Sequence, residues 1–258
     1  MPPLIVQDVV GALACLRQVW PKVFGSDQHG FVLNPVLPEG RVLAFERNFS
    51  VRLPREYRDF ITKIGDGGAG PFYGIFPMGF VDDHFALREW QANDGFVGDP
   101  SRPFSFQKEW NDTSLMPAPE LAETDEAEFE RRTEDFDQTY WRPDLLNGAI
   151  PICHHGCALR IWLVVTGDAA GQLWDDRRSE YGGIRPLRLA DGSTATFDRW
   201  YDEWLHECMK LPAEKSDRLL RTPAFSICRL FLASRPSVHQ LLVMYVWPVV
   251  RAQERPTG

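Results

Sequence analysis

"LPREYRDFITKIGDGGAGPFYGIFPMG", residues 53–79, decides how this chain is read. Gly65, Gly67, Gly68 and Gly70 crowd together directly after an amphipathic segment. Pro54 stands at a plausible helix start, and Tyr57, Phe60, Ile61 and Ile64 share one face of a 3.6-residue period. A phosphate-cradling loop opens a helix and carries Lys and Ser or Thr after its glycines. Here the helix comes first, and Pro71 and Phe72 follow. A dinucleotide fingerprint needs a strand before the glycines and a helix after them, again the reverse order. The glycines therefore read as a helix stop at positive φ and then a close approach of backbone to backbone. "FYGIFPM" beyond them reads as a strand.

Working outward, residues 4–20 carry Ile5, Val9, Val10, Leu13, Leu16 and Trp20 at helical spacing, and Pro21 stops that helix. A loop with Gly25, Gly30 and Pro35 follows, and residues 41–47 fit either a helix or a short strand. "DDHFALREWQAN", residues 82–93, reads as a helix capped by Asp82 or Asp83. Residues 95–118 are loop-like. In "ALRIWLVVTG" the residues Leu159, Ile161, Leu163 and Val165 alternate as in a strand, "GDAAG" at 167–171 is a hairpin loop, and "QLWDDRR" returns. "TFDRWYDEWLHECM" gives the clearest helix, with Phe197, Trp200, Tyr201, Trp204, Leu205 and Cys208 on one stripe. Trp162, Trp174, Trp200 and Trp204 fit core positions, while Trp90, Trp110 and Trp141 border the 95–148 segment.

The chain has 258 residues and a net charge of −8, unevenly spread. Residues 120–137 hold nine acids and two arginines, a net −7, whereas residues 209–258 carry a net +5. Phe129, Phe136 and Tyr140 give the acidic segment one narrow apolar seam, so it reads as a mostly exposed helix. The acidic balance excludes nucleic acid as the main partner, because phosphate recognition needs a basic face. It suits a basic protein. Five cysteines in a chain of this size read as reduced thiols of a cytoplasmic protein. "MPPLIVQDVV" has neither the basic region nor the cleavage site of a signal peptide. "LLVMYVWPVV", residues 241–250, is too short to span a membrane and reads as a buried strand.

Two polar clusters invite a chemical reading. "CHHGC", residues 153–157, offers Cys153 and Cys157 at zinc spacing, but no second ligand pair accompanies them. A strand-edge turn with buried cysteines is the simpler expectation, with no metal and no cofactor. "WDDRRSE" places Asp175, Asp176 and Glu180 beside Arg177 and Arg178, an ion-pair cluster more than an acid–base pair.

The chain resembles the SUKH superfamily in its Smi/Knr branch. The resemblance rests first on Leu53, Pro54, Tyr57, Gly67, Gly68, Gly70, Pro71, Tyr73 and Gly74. It rests second on Gly156, Cys157, Val165, Gly167, Gly171, Trp174, Gly183, Ile184 and Pro186, and "VFGSDQHGFVLNPVLPE" upstream also fits. It spans about residues 15–207 with an interruption. The resemblance implies an α+β fold, a mostly antiparallel sheet with helices packed against it, over residues 1–208. Residues 95–148 would be an acidic insertion and residues 209–258 a C-terminal extension. It implies a non-catalytic role, in bacterial members an immunity protein that neutralises a cognate toxin, often a nuclease. A regulatory interaction module is the alternative, and a metalloprotein or enzyme built on Cys153–Cys157 a third. The acids expected on a partner-binding surface are Asp82, Asp83, Glu123, Glu126, Glu130, Glu134, Asp175, Asp176 and Glu180.

Overall fold

The computed structural model describes residues 6–19, 22–83 and 86–210. The expected strand at 241–250 lies outside them. Four helices come first: α1 (Val6–Val19), α2 (Ser26–His29), α3 (Glu39–Phe49) and α4 (Arg55–Lys63). A hairpin of β1 (Phe80–Asp83) and β2 (Ala86–Glu89) follows, then helices α5 (Leu121–Thr124) and α6 (Glu126–Tyr140). Strands β3 (Ala149–Gly156), β4 (Leu159–Val164), β5 (Leu173–Asp176) and β6 (Ile184–Pro186) lead to helix α7 (Phe197–Lys210). The four late strands form one antiparallel sheet in the order β3-β4-β5-β6. The fold is α+β.

The helix read from Tyr57, Phe60 and Ile61 is α4, and all three side chains are buried. They meet α7: Phe197 lies 5.1 Å from Tyr57 and 4.9 Å from Phe60, ring centre to ring centre, and Tyr201 lies 4.8 Å from Phe60. The helix stop differs from expectation. Ile64 stays right-handed at φ −111°, and the amides of Ile64 and Gly65 both donate to the Phe60 carbonyl. The left-handed turn comes later, at Gly67 (φ 80°) and Gly68 (φ 91°).

That turn continues the sheet. Single-residue bridges run from Leu33 to Gly68, from Gly68 to Ile75, and from Ile75 to Cys153 on β3. A Cβ on Gly68 would sit 2.4 Å from the Val32 carbonyl oxygen, which makes glycine obligatory at this crossing. The expected strand over "FYGIFPM" is reduced to the bridge at Ile75. Phe72 (φ 54°) and Gly74 (φ 97°) interrupt the extended backbone that a pleat requires.

The helix expected over 82–93 is the β1–β2 hairpin, which corrects that reading. Tertiary contacts override a weak local preference here. Asp82 serves an arginine on β4 instead of a helix cap, and buried Trp90 packs 5.7 Å from Phe45 and 4.7 Å from Phe49. Residues 41–47, left open by the sequence, belong to α3.

β4 is buried on both faces, so its alternation does not separate core from solvent. Trp162 on β4 stands opposite Trp174 on β5. Phe96 and Phe104, from the loop-like 95–118 segment, roof these two indoles at 5.8 and 4.8 Å. At the outer edge, the Trp110 and Ile184 backbones exchange two 2.8 Å hydrogen bonds and close off β6.

Candidate protein-interaction site

Asp125 caps α6 by accepting from the Glu128 amide at 3.1 Å, and Glu126 and Glu128 suit the positive end of the helix dipole. Only a narrow seam touches the body: Phe129 half-buried, Phe136 and Tyr140 buried. Glu123, Glu126, Glu130 and Glu134 are exposed. Both arginines of the helix are already engaged. Arg131 pairs with Glu128 and Asp135 at 2.8 and 2.7 Å, and Arg132 pairs with Glu128 at 2.7 Å. Hydrogen bonds from these two guanidiniums hold the Glu128 pKa down to about 2. Among the described residues, none of the four exposed glutamates has a cationic partner.

The C-terminal end of α6 is locked to the sheet edge. The Tyr140 hydroxyl donates to Asn111 at 2.7 Å and accepts from the Gly183 amide at 3.1 Å. Arg178, 4% exposed, donates to the Tyr140 carbonyl and forks onto Asp176 at 2.9 and 2.8 Å. Beside this anchor stand two exposed aromatics. Trp141 lies 5.3 Å from the Arg178 guanidinium carbon, and Tyr181 takes the left-handed φ of 55°. The sequence marked Trp141 as bordering the insertion but gave no sign of Tyr181, whose display depends on a left-handed backbone no motif announces.

The nine expected surface acids do not form one surface. Glu123, Glu126, Glu130 and Glu134 come together on α5 and α6. Glu180 is exposed and pairs with Arg177. Asp175 and Asp176 are corrected to the interior, 3% and 8% exposed. Asp176 is spent on Arg178, and Asp175 lies between Arg177 (3.5 Å), Arg185 (3.4 Å) and His155 (3.7 Å). Asp82 is half-buried on the hairpin, 3.1 Å from Arg160 and 3.0 Å from His154, and Asp83 ends β1 next to it.

The "CHHGC" cluster is scattered by strand geometry, because successive side chains on β3 point to opposite faces. The buried Cys153 thiol donates to the Pro71 carbonyl at 3.3 Å, and burial raises its pKa well above the usual thiol value. His154 turns to Asp82, and His155 stacks on Phe72 at 3.6 Å. Cys157, expected to be buried, is exposed in the following turn. Among the described residues, no three His, Cys, Asp or Glu side chains converge as a metal site. Nor is any helix among them long and apolar enough to cross a membrane.

A family model described as the SMI1 / KNR4 family (SUKH-1) matches residues 37–181, more than half of the chain. The chain belongs to the SMI1 / KNR4 family. No curated protein and no solved structure matches it. The stretch assigned to this family includes the glycine corner, the β3–β4–β5 meander and helix α6. The sequence motif maps onto it as scaffold. Leu53 is buried, Tyr57 is buried against Phe197 of α7, Gly67 and Gly68 make the left-handed crossing, and Trp174 is buried on β5. Pro54 caps α4, Pro71 accepts the Cys153 thiol, and Gly167 (φ 107°) turns the β4–β5 hairpin. Gly183 and Pro186, beyond the matched stretch, flank and end β6. Around Tyr73, by contrast, this SMI1 / KNR4 chain opens a cleft.

Proposed function

We propose that this chain is a non-catalytic immunity protein that binds a cognate toxin of basic surface and covers its active site. Family membership supports the protein-binding class. The observation that carries the reading is the α5–α6 face: four exposed glutamates with no cationic partner among the described residues, beside exposed Trp141 and Tyr181. Acids steer a basic partner, and aromatics at the rim supply anchoring area. The proposed toxin acts on nucleic acid, since such an enzyme needs a basic active-site face.

The test is to co-express the chain with the product of the adjacent gene. The expected result is a 1:1 complex in which that product loses its activity while its fold is retained. A neighbouring product that stays fully active at saturating amounts of this protein would reject the proposal.

A further inference from the structure

The acidic face and the sequence beyond α7 are complementary in charge. Residues 120–137 carry a net −7, and their two arginines are already spent on Glu128 and Asp135. Among the described residues, Glu123, Glu126, Glu130 and Glu134 have no cationic partner. Trp141 and Tyr181 stand beside them, 40% and 54% exposed. A segment that matches such a face carries cations and apolar side chains together.

Residues 215–235 of this same chain have that composition. Lys215, Arg218, Arg221, Arg229 and Arg235 stand against a single acid, Asp217, a net +4 within a chain of net −8. Apolar residues are interleaved with these cations: Leu219 and Leu220 lie between Arg218 and Arg221, and Leu230 and Phe231 follow Arg229.

The tether allows the contact and favours it. Helix α7 ends at exposed Lys210, and the segment lies beyond the described residues. A chain covers up to about 3.3–3.6 Å per residue, so the stretch from Lys210 to Arg221 reaches up to about 40 Å and the stretch to Arg235 about twice that. A folded body of about 200 residues has a radius of gyration of about 17 Å, hence a diameter of about 45 Å. The α5–α6 face is therefore within reach. A tethered segment meets that face at an effective concentration of about millimolar, which populates contacts too weak to form between separate molecules. The same argument places this occupant ahead of the equivalent segment of a second copy.

We propose that residues 215–235 cover the α5–α6 face of their own chain, cations against the acids and apolar side chains against Trp141 and Tyr181, as a displaceable intramolecular competitor. The net +4 of the segment leaves the net −7 face acidic, so a strongly basic partner is still attracted and displaces it. Weakly basic proteins, which cannot outcompete the tethered segment, are turned away. The contact itself needs no toxin. The discrimination it provides rests on the immunity reading above.

The test uses the full chain with Arg218→Lys and Arg221→Lys, which keep the charge and supply amines. A water-soluble carbodiimide joins a carboxylate to an amine in direct contact with it, and mass spectrometry of the digest locates the link. The expected product is a monomer in which Lys215 or one of the two introduced lysines is linked to a carboxylate of residues 120–137. In a mixture of isotopically labelled and unlabelled chains, the link should join residues of one copy. Its yield should fall at least threefold at about 0.5 M salt, where charges are screened. It should fall as far in Tyr181→Asn, a residue that suits the left-handed backbone there. In a second measurement, fluorescent nonaarginine is titrated into the protein. Replacing Arg218, Arg221, Arg229 and Arg235 by Gln should raise its affinity at least fivefold. That gain should shrink below twofold when Glu123, Glu126, Glu130 and Glu134 are Gln as well. The absence of a link to residues 120–137, a link only between copies, a yield indifferent to salt or to Tyr181→Asn, or a gain that survives loss of the four glutamates each overturns the proposal. None of these outcomes bears on toxin binding, which the co-expression experiment tests separately.

Discussion

At the residue scale, two positions separate backbone necessity from side-chain fit. A Cβ on Gly68 would press on the Val32 carbonyl oxygen at 2.4 Å and the Asn34 nitrogen at 2.9 Å, and φ there is 91°. Neither neighbour is a side chain that can rotate away. Gly68→Ala should therefore destabilise by about 2 kcal/mol or more, with no rescue from trimming nearby side chains. A Cβ on Gly70 would meet Ile75 Cγ1 at 2.6 Å, and its φ is not left-handed. Gly70→Ala should cost markedly less in an Ile75→Ala background than in the native chain. Urea unfolding of the Gly70–Ile75 double-mutant cycle measures this, and additive costs at residue 70 would show that the backbone is the constraint there as well. His29 gives the pH dependence. Its folded pKa of about 4 lies below the unfolded value, so the unfolded chain takes up the proton first. The stabilising contribution is fully present above about pH 6.5 and is lost as pH falls toward 4. His154, shifted the same way, adds to the loss. The depressed carboxylates Glu128 and Asp191, at about 2, act only in a more acidic window. Melting temperature should drop between pH 6.5 and 4 in the native protein and drop less in His29→Asn, whose side-chain oxygen can still accept the Phe31 amide, as the His29 Nδ1 does at 3.0 Å.

At the element scale, α6 is an exposed helix held at one end. Arg178→Ala would leave the Asp176 carboxylate buried and unpaired and the Tyr140 carbonyl without its donor. The expected cost is about 3–5 kcal/mol, whereas Arg178→Met with Asp176→Leu should recover much of it. Hydrogen exchange should rise across α6 more than across α4 in the single variant. Equal exchange in both helices would mean that this ion pair does not anchor α6. How far such elements could be read from sequence follows from where their partners lie. Helices α4 and α7 show a full apolar stripe because each buries one face, and the stripe is local information. The β4–β5 hairpin announces itself through Gly167 and Gly171. The β1–β2 hairpin does not, because Val81 and Trp90 are buried by residues far away in sequence, and its Asp82 is held by Arg160. Asp175 and Asp176 look like surface acids for the same reason. The guanidinium that Asp176 faces is adjacent in sequence, but the burial of β5 comes from Phe104, Phe106 and Tyr140 on distant segments. The four glutamates of the acidic face were legible because exposure on a helix with a narrow seam is itself a local property. The cleft was not, since no one element contains it.

At the scale of the whole molecule, charge and stability are carried by different parts of the surface. The acids of α5 and α6 project from a helix whose attachment rests on Phe136, Tyr140 and the Arg178 anchor, none of which involves Glu123, Glu126, Glu130 or Glu134. Exposed charges of this kind contribute about 0–1 kcal/mol each to folding. Replacing the four glutamates by Gln should therefore leave the melting temperature within a few degrees of the native value. Association is governed by the summed field. At low salt the field of an acidic face reaches far into solution, whereas at physiological ionic strength it is screened beyond roughly 8–10 Å. The quadruple variant should bind a basic partner more slowly than the native protein, with the difference largest at low salt and shrinking as salt is added. Dissociation should change less, because Trp141 and Tyr181 remain to hold the encounter once formed. Stopped-flow association rates for both proteins across a salt series check this. Parallel salt slopes and equal rates would show that a basic partner docks elsewhere. A large fall in melting temperature would instead place these glutamates in the structural anchoring of α6.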